Sequence, residues 1–213
     1  MRQLGILENL LCEVDTALRT LIPPTQRACK RPAPGQELAD APLNSQEKRQ
    51  VAGLMRVNHA GEVCAQALYQ GQALTAHLSK VREQMAEAAA EEVDHLAWCE
   101  QRLRDLDSQP SLLNPLWYLG SFMIGSLAGL AGDRWSLGFV AETERQVSAH
   151  LQSHLQKLPP QDEKSRVILE QMYEDETHHA EVAKAAGAAE LPFFIQKLMQ
   201  GISKLMTRSS YHF

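Results

Sequence analysis

Two Glu-x-x-His motifs constrain the fold of this chain more than any other feature of its sequence. One lies in EEVDHLAWCE at residues 91–100, and the other lies in YEDETHHAEVA at residues 173–183. Both stretches have helical periodicity, and on a helix residues three or four apart share a face. Each motif therefore places a carboxylate and an imidazole on the face where core residues are expected. The fold must accommodate polar groups inside two of its helices.

The remainder of the sequence predicts an all-α fold. Apolar residues recur at helical spacing, and no stretch alternates apolar and polar residues as a half-buried strand does. Four long helices of similar length indicate a four-helix bundle. They are predicted from Ser45, as the N-cap, to about Leu78, and over residues 80–106, 134–158 and 162–186, with Pro159 and Pro160 between the last two and Gly187 after the end.

Each of these helices points one glutamate inward. The residues that share the inner face of each helix form a stripe that is otherwise mostly apolar. In chain order, the stripes comprise Met55, Asn58, Glu62, Ala65 and Tyr69; Met85, Ala88, Glu92, His95 and Cys99; Val140, Glu144, Val147, Leu151 and Leu155; and Leu169, Met172, Glu176, His179 and Ala183.

Four buried carboxylates need a compensating charge, because without one they would lose hydration and repel one another. Two divalent cations balance four carboxylates, and two neutral imidazoles complete the ligand set without adding charge. Oxygen and imidazole ligands without a thiolate favour iron or manganese over structural zinc. One Glu from each of two helices and a Glu-x-x-His from each of the others is the arrangement of ferritin-like di-iron bundles. The predicted metal ligands are Glu62, Glu92, His95, Glu144, Glu176 and His179.

The spacing of these residues favours a duplicated structure over chance. The two Glu-x-x-His motifs are 84 residues apart, and Glu62 precedes Glu144 by 82 residues. A single Glu-x-x-His is a weak motif, but this order and spacing indicate two related helical hairpins. In the alternative interpretation the glutamates and histidines are solvated surface residues, which their positions on the inner stripes disfavour.

Polar neighbours of the motifs are further candidates for the site. A shift by 84 residues aligns Glu91 with Asp175 and Asp94 with His178, so the repeat leaves these residues out of the ligand set. Glu91 and His178 are instead expected to flank the ligands or to support them through hydrogen bonds.

Three other residues have open roles. Tyr69 lies two helical turns after Glu62 on the same face, either as a core residue or within reach of a substrate pocket or a radical relay. His59 and His150 are candidates to orient ligands through hydrogen bonds.

Four stretches of the chain resemble the demethoxyubiquinone hydroxylase family. They are RVNHAGEVCAQALYQGQ at 56–72, EEVDHLAWCEQRL at 91–103, GFVAETERQVSAHL at 138–151 and DETHHAEVA at 175–183. The resemblance covers nearly the whole bundle and extends to the tail KLMTRSSYHF. The di-iron ligands of that family match the same six residues that the inner stripes select.

The resemblance implies a monooxygenase that uses dioxygen to hydroxylate the ring of a polyprenyl demethoxyubiquinol in ubiquinone biosynthesis. Its cofactor would be two iron ions. From the symmetry of the site, His95 and His179 would each bind one iron. Glu92 and Glu176 would bridge the two irons, and the other two glutamates would be terminal ligands.

The stretch SQPSLLNPLWYLGSFMIGSLAGLAG, residues 108–132, contains no charged residue. It is long enough to span a bilayer, but Asn114, Pro115 and several glycines make it a poor spanning helix. GSLAG at 125–129 fits the small-xxx-small pattern of close helix packing. Three interpretations remain open: a membrane-surface or substrate-channel segment, a buried connector across the bundle end, and a true span.

Residues 191–208 predict an amphipathic C-terminal helix. Its charged residues occupy other faces than the apolar stripe, as in a helix on a membrane surface, although packing against the bundle is also compatible with the pattern. With the charge-free segment, it suits an enzyme that takes a quinol from the bilayer at the cytoplasmic face of the cell membrane. The stripe comprises Phe194, Leu198, Ile202, Leu205 and Met206, and the charged residues are Lys197, Lys204 and Arg208.

The 213 residues, of which 44% are hydrophobic and 22% charged, are sufficient for one sizeable globular domain. We expect residues 1–45 to form an N-terminal helix over 3–22 and a Pro-rich connector, ordered or mobile, from Pro23 to Pro42. Residues 46–213 are expected to form the bundle. The net charge of −5 gives no reason to expect a nucleic-acid partner.

The cysteines indicate a reducing compartment. There is no CxxC spacing, and the N-terminus lacks a signal-peptide pattern, so a cytoplasmic setting fits best. The four thiols are Cys12, Cys29, Cys64 and Cys99, and all are expected to be ordinary packed or surface residues.

Two other classes of protein compete with the enzyme. A ferritin-like ferroxidase or iron-storage protein would need a soluble, shell-forming surface, and the charge-free segment and basic tail argue against one. A non-catalytic, membrane-associated scaffold would bind a structural metal with no open coordination position. A homo-oligomer and complexes with other ubiquinone-biosynthesis proteins are both compatible with the sequence.

Overall fold

The computed structural model describes residues 6–22, 24–25 and 27–213, and no strand occurs in this part of the chain. The four long helices lie within three residues of their predicted ends, and they form the predicted ferritin-like all-α bundle. The helices are α1 (Ile6–Leu21), α2 (Ser45–Thr75), α3 (Ser79–Asp105), α4 (Asn114–Leu130), α5 (Asp133–Leu155), α6 (Glu163–Ala185) and α7 (Phe193–Ser210).

The N-cap of α2 is Asn44, so the prediction of Ser45 was wrong. Asn44 Oδ1 accepts hydrogen bonds from the backbone N–H groups of Gln46, at 2.9 Å, and Glu47, at 3.0 Å. The Glu47 carboxylate accepts one from the Asn44 N–H, at 2.8 Å. This reciprocal capping box needs a glutamate three residues after the cap, and Glu47 satisfies that spacing only for Asn44.

The long helices pair as two hairpins, α2 with α3 and α5 with α6. The predicted inner stripes are buried, except that Ala88, Val147 and Leu155 are half-buried. One apolar cluster fills the end of the bundle around Met55 and Met172, and another fills the opposite end around Tyr69. Along each helix the predicted ligands lie between the two clusters, so the polar site has an apolar layer on either side.

Helix α4 lies against α2 through its glycines. A Cβ on Gly125 would collide with the backbone of Leu68, and one on Gly129 would collide with the Thr75 side chain. The GSLAG pattern therefore provides close packing within the protein. No described helix is both long and apolar enough to cross a membrane. The opposite face of α4 exposes Leu116, Leu119, Met123, Leu127 and Leu130.

The connector between α1 and α2 is ordered against the bundle. Arg27 Nη2 pairs with the buried Glu100, at 2.7 Å, and the Lys30 backbone N–H donates to Asp94 Oδ1, at 2.7 Å. Over its described residues, this segment therefore packs against α3 of the bundle. Residues 3–5 of the predicted N-terminal helix, and Pro23 and Gln26 of the predicted connector, lie outside the part of the chain that the structure describes.

The C-terminal helix α7 both packs on the bundle and exposes apolar side chains. Tyr211, at its end, lies against Gly53 of α2, and a Cβ on that glycine would clash with the tyrosine ring. The opposite end of α7 exposes Phe193 and Phe194, which are 71% and 69% accessible. Tyr211 at the C-terminal end thus packs on the bundle, whereas exposed apolar side chains occur along the helix and include Leu198 and Leu205.

Candidate metal centre

Six side chains from α2, α3, α5 and α6 meet in the middle of the bundle, and each is at most 8% exposed. They are all the predicted ligands, and they form two overlapping groups. Within each group, one potential ligand atom per residue lies within 4.8 Å of the others. The first group is Glu62, Glu92, His95 and Glu176, and the second is Glu92, Glu144, Glu176 and His179.

Both imidazoles direct Nδ1 at the carboxylates. His95 Nδ1 lies 2.9 Å from Glu92 Oε2 and 3.2 Å from Glu176 Oε1. His179 Nδ1 lies 3.5 Å from the other oxygens, Glu92 Oε1 and Glu176 Oε2. Glu92 and Glu176 therefore contact both histidines, and Nδ1 is the atom that each histidine can offer to a metal.

The outer nitrogens of the two histidines are held by acids from the opposite motif. His95 Nε2 lies 2.9 Å from Asp175 Oδ2, and His179 Nε2 lies 2.6 Å from Glu91 Oε2. Each acid immediately precedes a glutamate of the ligand group, so each helix orients the imidazole of the other. Such a contact places the proton on Nε2 and leaves the Nδ1 lone pair for a metal.

Glu91 thus occupies the supporting position predicted for it, whereas His178 only flanks the ligands from an exposed position. Sequence reasoning missed Asp175 as a supporting residue. The signal was available, because the 84-residue repeat aligns Asp175 with Glu91 and both are acids.

The metal-free carboxylates differ in their affinity for protons. Burial raises the pKa of Glu62 well above its ordinary value, and the charge of Glu92 raises it further. Burial and the charge of Glu176 do the same to the pKa of Glu144. Burial also opposes ionisation of Glu92 and Glu176, but contacts with the histidines outweigh it and lower both pKa values. In the metal-free protein, Glu92 and Glu176 therefore ionise more readily than Glu62 and Glu144.

Burial alone would lower the pKa of each site histidine, but the carboxylates outweigh it. The charge of Glu92 and the contact with Asp175 raise the pKa of His95 well above its ordinary value. Contacts with Glu176 and Glu92 raise the pKa of His179 to about 12. The metal-free cluster therefore keeps both histidines protonated near pH 7, and Glu62 and Glu144 bind protons more tightly than ordinary glutamates do.

The residues present fit a dinuclear metal centre. In the described part of the chain, Glu92 Oε1, Glu144 Oε2, Glu176 Oε2 and His179 Nδ1 are buried and make no hydrogen bond of normal geometry, since His179 Nδ1 stays 3.5 Å from both Glu92 Oε1 and Glu176 Oε2. Buried polar atoms without a partner are energetically costly, and native proteins contain few of them. Four such atoms in one ligand cluster are what metal coordination would satisfy.

Tyr69 and His59 have different relationships to the cluster. Tyr69 is 2% exposed and donates a hydrogen bond to Glu144, so it is both a core residue and a support for a predicted ligand. His59 was one candidate to orient a ligand, but it has no hydrogen bond to a predicted ligand in the described chain. His59 Nε2 instead lies 3.3 Å from Glu100 Oε1, because residue 59 is one position off the inner stripe of α2.

An apolar cavity of about 290 Å³ extends from Glu62 to the space between α4 and α7. Asn58, Thr143 and His150 are among its polar lining residues, and no hydrogen bond joins His150 to a predicted ligand in the described chain. Asn58 Nδ2 and Thr143 Oγ1 have no hydrogen-bond partner among the described residues. The apolar walls include Leu68, Trp117, Ile124, Phe139, Leu198 and Ile202.

Two helical hairpins around a buried glutamate and histidine cluster define a ferritin-like carboxylate bundle of the kind that binds two metal ions. Within this class, residues 49–210 match the family described as Ubiquinone biosynthesis protein COQ7, and the chain belongs to that family. The resemblance stated from the motifs is therefore confirmed.

Curated relatives match the chain over its full length. It is 64% identical over 212 residues to the 3-demethoxyubiquinol 3-hydroxylase of Legionella pneumophila (strain Paris), with 100% of both chains covered. It is 58% identical over 212 residues to the protein of the same name from Acinetobacter baylyi (strain ATCC 33305 / BD413 / ADP1), again with 100% of both covered.

Proposed function

We propose that this protein is a di-iron monooxygenase that uses dioxygen to hydroxylate the ring of a polyprenyl demethoxyubiquinol in ubiquinone biosynthesis. The observation that carries the proposal is the apolar cavity that ends at Glu62 of the six-residue cluster. The 64% identity to 3-demethoxyubiquinol 3-hydroxylases supports this choice of reaction and substrate.

Iron is the metal that we assign to the cluster, because its ligands are carboxylate oxygens and imidazoles without a thiolate. Glu92 and Glu176 belong to both groups of possible ligands, so each would be shared by the two ions. Glu62 and His95 would complete one position, and Glu144 and His179 the other. When bound, two irons supply the redox chemistry that activates dioxygen.

The protein's own side chains orient the quinol and exclude water. The apolar walls favour a quinol ring and the first part of its prenyl chain over water. Asn58 lies one helical turn before Glu62, and its buried Nδ2 group has no partner among the described residues. We assign this N–H as the donor to an oxygen of the quinol ring. Tyr69 holds Glu144 through its hydroxyl group on the other side of the cluster.

The exposed apolar faces of α4 and α7 support a peripheral position at the cytoplasmic face of the cell membrane. These two helices wall the cavity, so a prenyl chain could pass between them from lipid to the site. Exposed apolar surface of this extent is typical of an interaction site. Lys197, Lys204 and Arg208 on α7 would add attraction to anionic lipid headgroups.

The proposal is tested with protein purified without oxygen. We expect two irons per chain in wild type, and loss of both in the variant that combines Glu92→Ala with Glu176→Ala. Reduced wild type supplied with a short-chain demethoxyubiquinol and isotope-labelled dioxygen should place label in the quinol ring. A protein that binds two irons but leaves the quinol unlabelled would contradict the proposed reaction. A large soluble cage in size-exclusion chromatography would instead favour iron storage.

A further inference from the structure

The connector between α1 and α2 reaches the metal centre through Arg31. Arg31 Nη2 pairs with Asp175 Oδ2 at 2.8 Å, and the same oxygen lies 2.9 Å from His95 Nε2. A continuous set of contacts therefore runs from Arg31 through Asp175 to the imidazole whose Nδ1 faces the carboxylates. Arg31 lies outside residues 49–210, which match the family.

Arg31 is itself held from several directions. Its Nε donates to Asp94 Oδ2 at 3.1 Å, and its backbone N–H donates to the same oxygen at 3.3 Å. Trp98 Nε1 donates to the Arg31 carbonyl at 3.1 Å, and the guanidinium lies 4.9 Å from the centroid of the Trp98 ring. These contacts fix the guanidinium in the orientation in which it meets Asp175.

Among the described residues, the other half of the centre has no equivalent support. Glu91, which holds His179, has a side chain that is 51% exposed, whereas the Asp175 side chain is 15% exposed. No lysine or arginine of the described chain pairs with Glu91 within salt-bridge distance. His95 is fully buried, whereas His179 is 8% exposed. The two halves are therefore related in sequence but differ in how firmly their histidines are held.

We propose that Arg31 is a positioning residue that makes the two metal positions inequivalent, so that the ion at His95 is released slowly and the ion at His179 quickly. A metal ligand whose far side is fixed by a partner that is itself held in place is pre-organised and dissociates less readily. The inference rests on the proposed binding of two ions by the cluster, and it is independent of the substrate.

The test measures the release of ferrous ion from the full-length protein, without oxygen, to an excess of a coloured ferrous chelator. Wild type should release two irons per chain in two phases of equal amplitude. Arg31→Gln should accelerate the slow phase about 10- to 100-fold and leave the fast phase unchanged, because it removes support from one histidine. Glu91→Gln should accelerate only the fast phase.

Arg19→Gln is the matched control. Arg19 pairs with Asp15 at 2.6 Å, but its side chain is 76% exposed and it is on α1, so neither phase should change. Release in a single phase from wild type would overturn the inference. An Arg31→Gln variant in which both phases change equally, or in which neither phase changes, would also overturn the inference.

A second variant keeps the test decisive if Arg31→Gln does not fold. Asp175→Asn retains the shape of the side chain but removes the charge through which Arg31 acts, and it should also accelerate the slow phase alone. An unchanged slow phase in this variant would overturn the inference. The iron content measured before release separates this result from failure of the proposed function, in which wild type would not bind two irons.

Discussion

His154 Nδ1 on α5 lies 2.8 Å from Asn58 Oδ1 on α2, and this contact holds the Asn58 amide beside the cavity. Burial, followed by the charges of Lys157 and His150, lowers the pKa of His154 to about 4. The imidazole is therefore neutral near pH 7, with its Nδ1–H donating to the amide oxygen. The amide nitrogen of Asn58 then faces away from His154.

We predict that His154 makes stability depend on pH below neutrality. Because the pKa of His154 is about 4 in the folded protein and that of an exposed histidine is 6.5, the unfolded chain binds more protons between these values. Its contribution to stability is complete above pH 6.5 and is lost as the pH falls towards 4, by roughly 2–3 kcal/mol. Urea unfolding at several pH values should show a smaller loss in His154→Gln.

His178→Gln provides the control for that measurement, because His178 is exposed on α6. It should retain the pH dependence of wild type. If His154→Gln and wild type lose stability in parallel between about pH 6.5 and 4.5, His154 is not the group responsible.

The proposed role of Asn58 predicts a change in substrate affinity. In Asn58→Leu the donor to the quinol ring is absent, and one hydrogen bond contributes about 1–1.5 kcal/mol. The KM for a demethoxyubiquinol should rise roughly tenfold, by the conversion of that free energy into a binding ratio. Iron content should stay at the wild-type value, since Asn58 is not among the possible ligands. An unchanged KM at full iron content would exclude this role.

The ligands could be predicted from sequence because helical periodicity is a local property. Glu62 and Glu144 lie on inner stripes that can be drawn without knowing how the helices pack, and the repeat selects the Glu-x-x-His pairs. Asn58 was also predicted to face inward, but its proposed role as a hydrogen-bond donor to the quinol ring was not predicted. That role depends on α4 and α7 closing a cavity, which is a matter of tertiary packing.

The connector between α1 and α2 shows more clearly which contacts could not be predicted from the sequence. Arg31 lies in a Pro-rich segment without periodicity, so nothing local indicates that its guanidinium meets Asp175. Asp94 was noted only because the repeat aligns it with His178, yet it accepts hydrogen bonds from two backbone N–H groups of the connector. Contacts between an irregular segment and a helix are set by the three-dimensional path of the chain.

Metal binding should release protons, because the free cluster holds them where metal ions would bind. The pKa values of Glu62, Glu144, His95 and His179 are all raised, so each group binds its proton more tightly than usual in the metal-free protein. Ligands bind metals in their deprotonated forms, and we expect up to ~4 protons to leave per two ferrous ions. Affinity should therefore fall as the pH falls. Anaerobic calorimetry in buffers of different ionisation enthalpy measures this number, and a value near zero would contradict the assigned protonation.

The close packing of α4 on α2 predicts opposite effects for two glycine substitutions in one helix. Gly125→Ala should lower the free energy of unfolding by about 1–3 kcal/mol, because the new Cβ meets the Leu68 backbone and α4 must shift. Gly120→Ala is the matched control. It has open space around it, and it should stabilise the helix by roughly 0.5–1 kcal/mol. Equal effects in denaturant unfolding would show that α4 does not pack through Gly125.

If the protein associates with membranes through α7, the wild-type protein should bind to lipid vesicles. The variant that combines Phe193→Ser with Phe194→Ser removes two exposed apolar side chains, and its partition coefficient should fall at least ~10-fold because their burial in lipid is lost. Flotation with vesicles that contain anionic lipid measures the bound fraction. Val182→Ser, on an exposed position of α6, is the control and should float like wild type.

Binding of the wild-type protein to these vesicles should also weaken at high salt, because Lys197, Lys204 and Arg208 contribute by charge. If wild type remains unbound at low salt, or the double variant floats equally well, α7 is not the membrane contact.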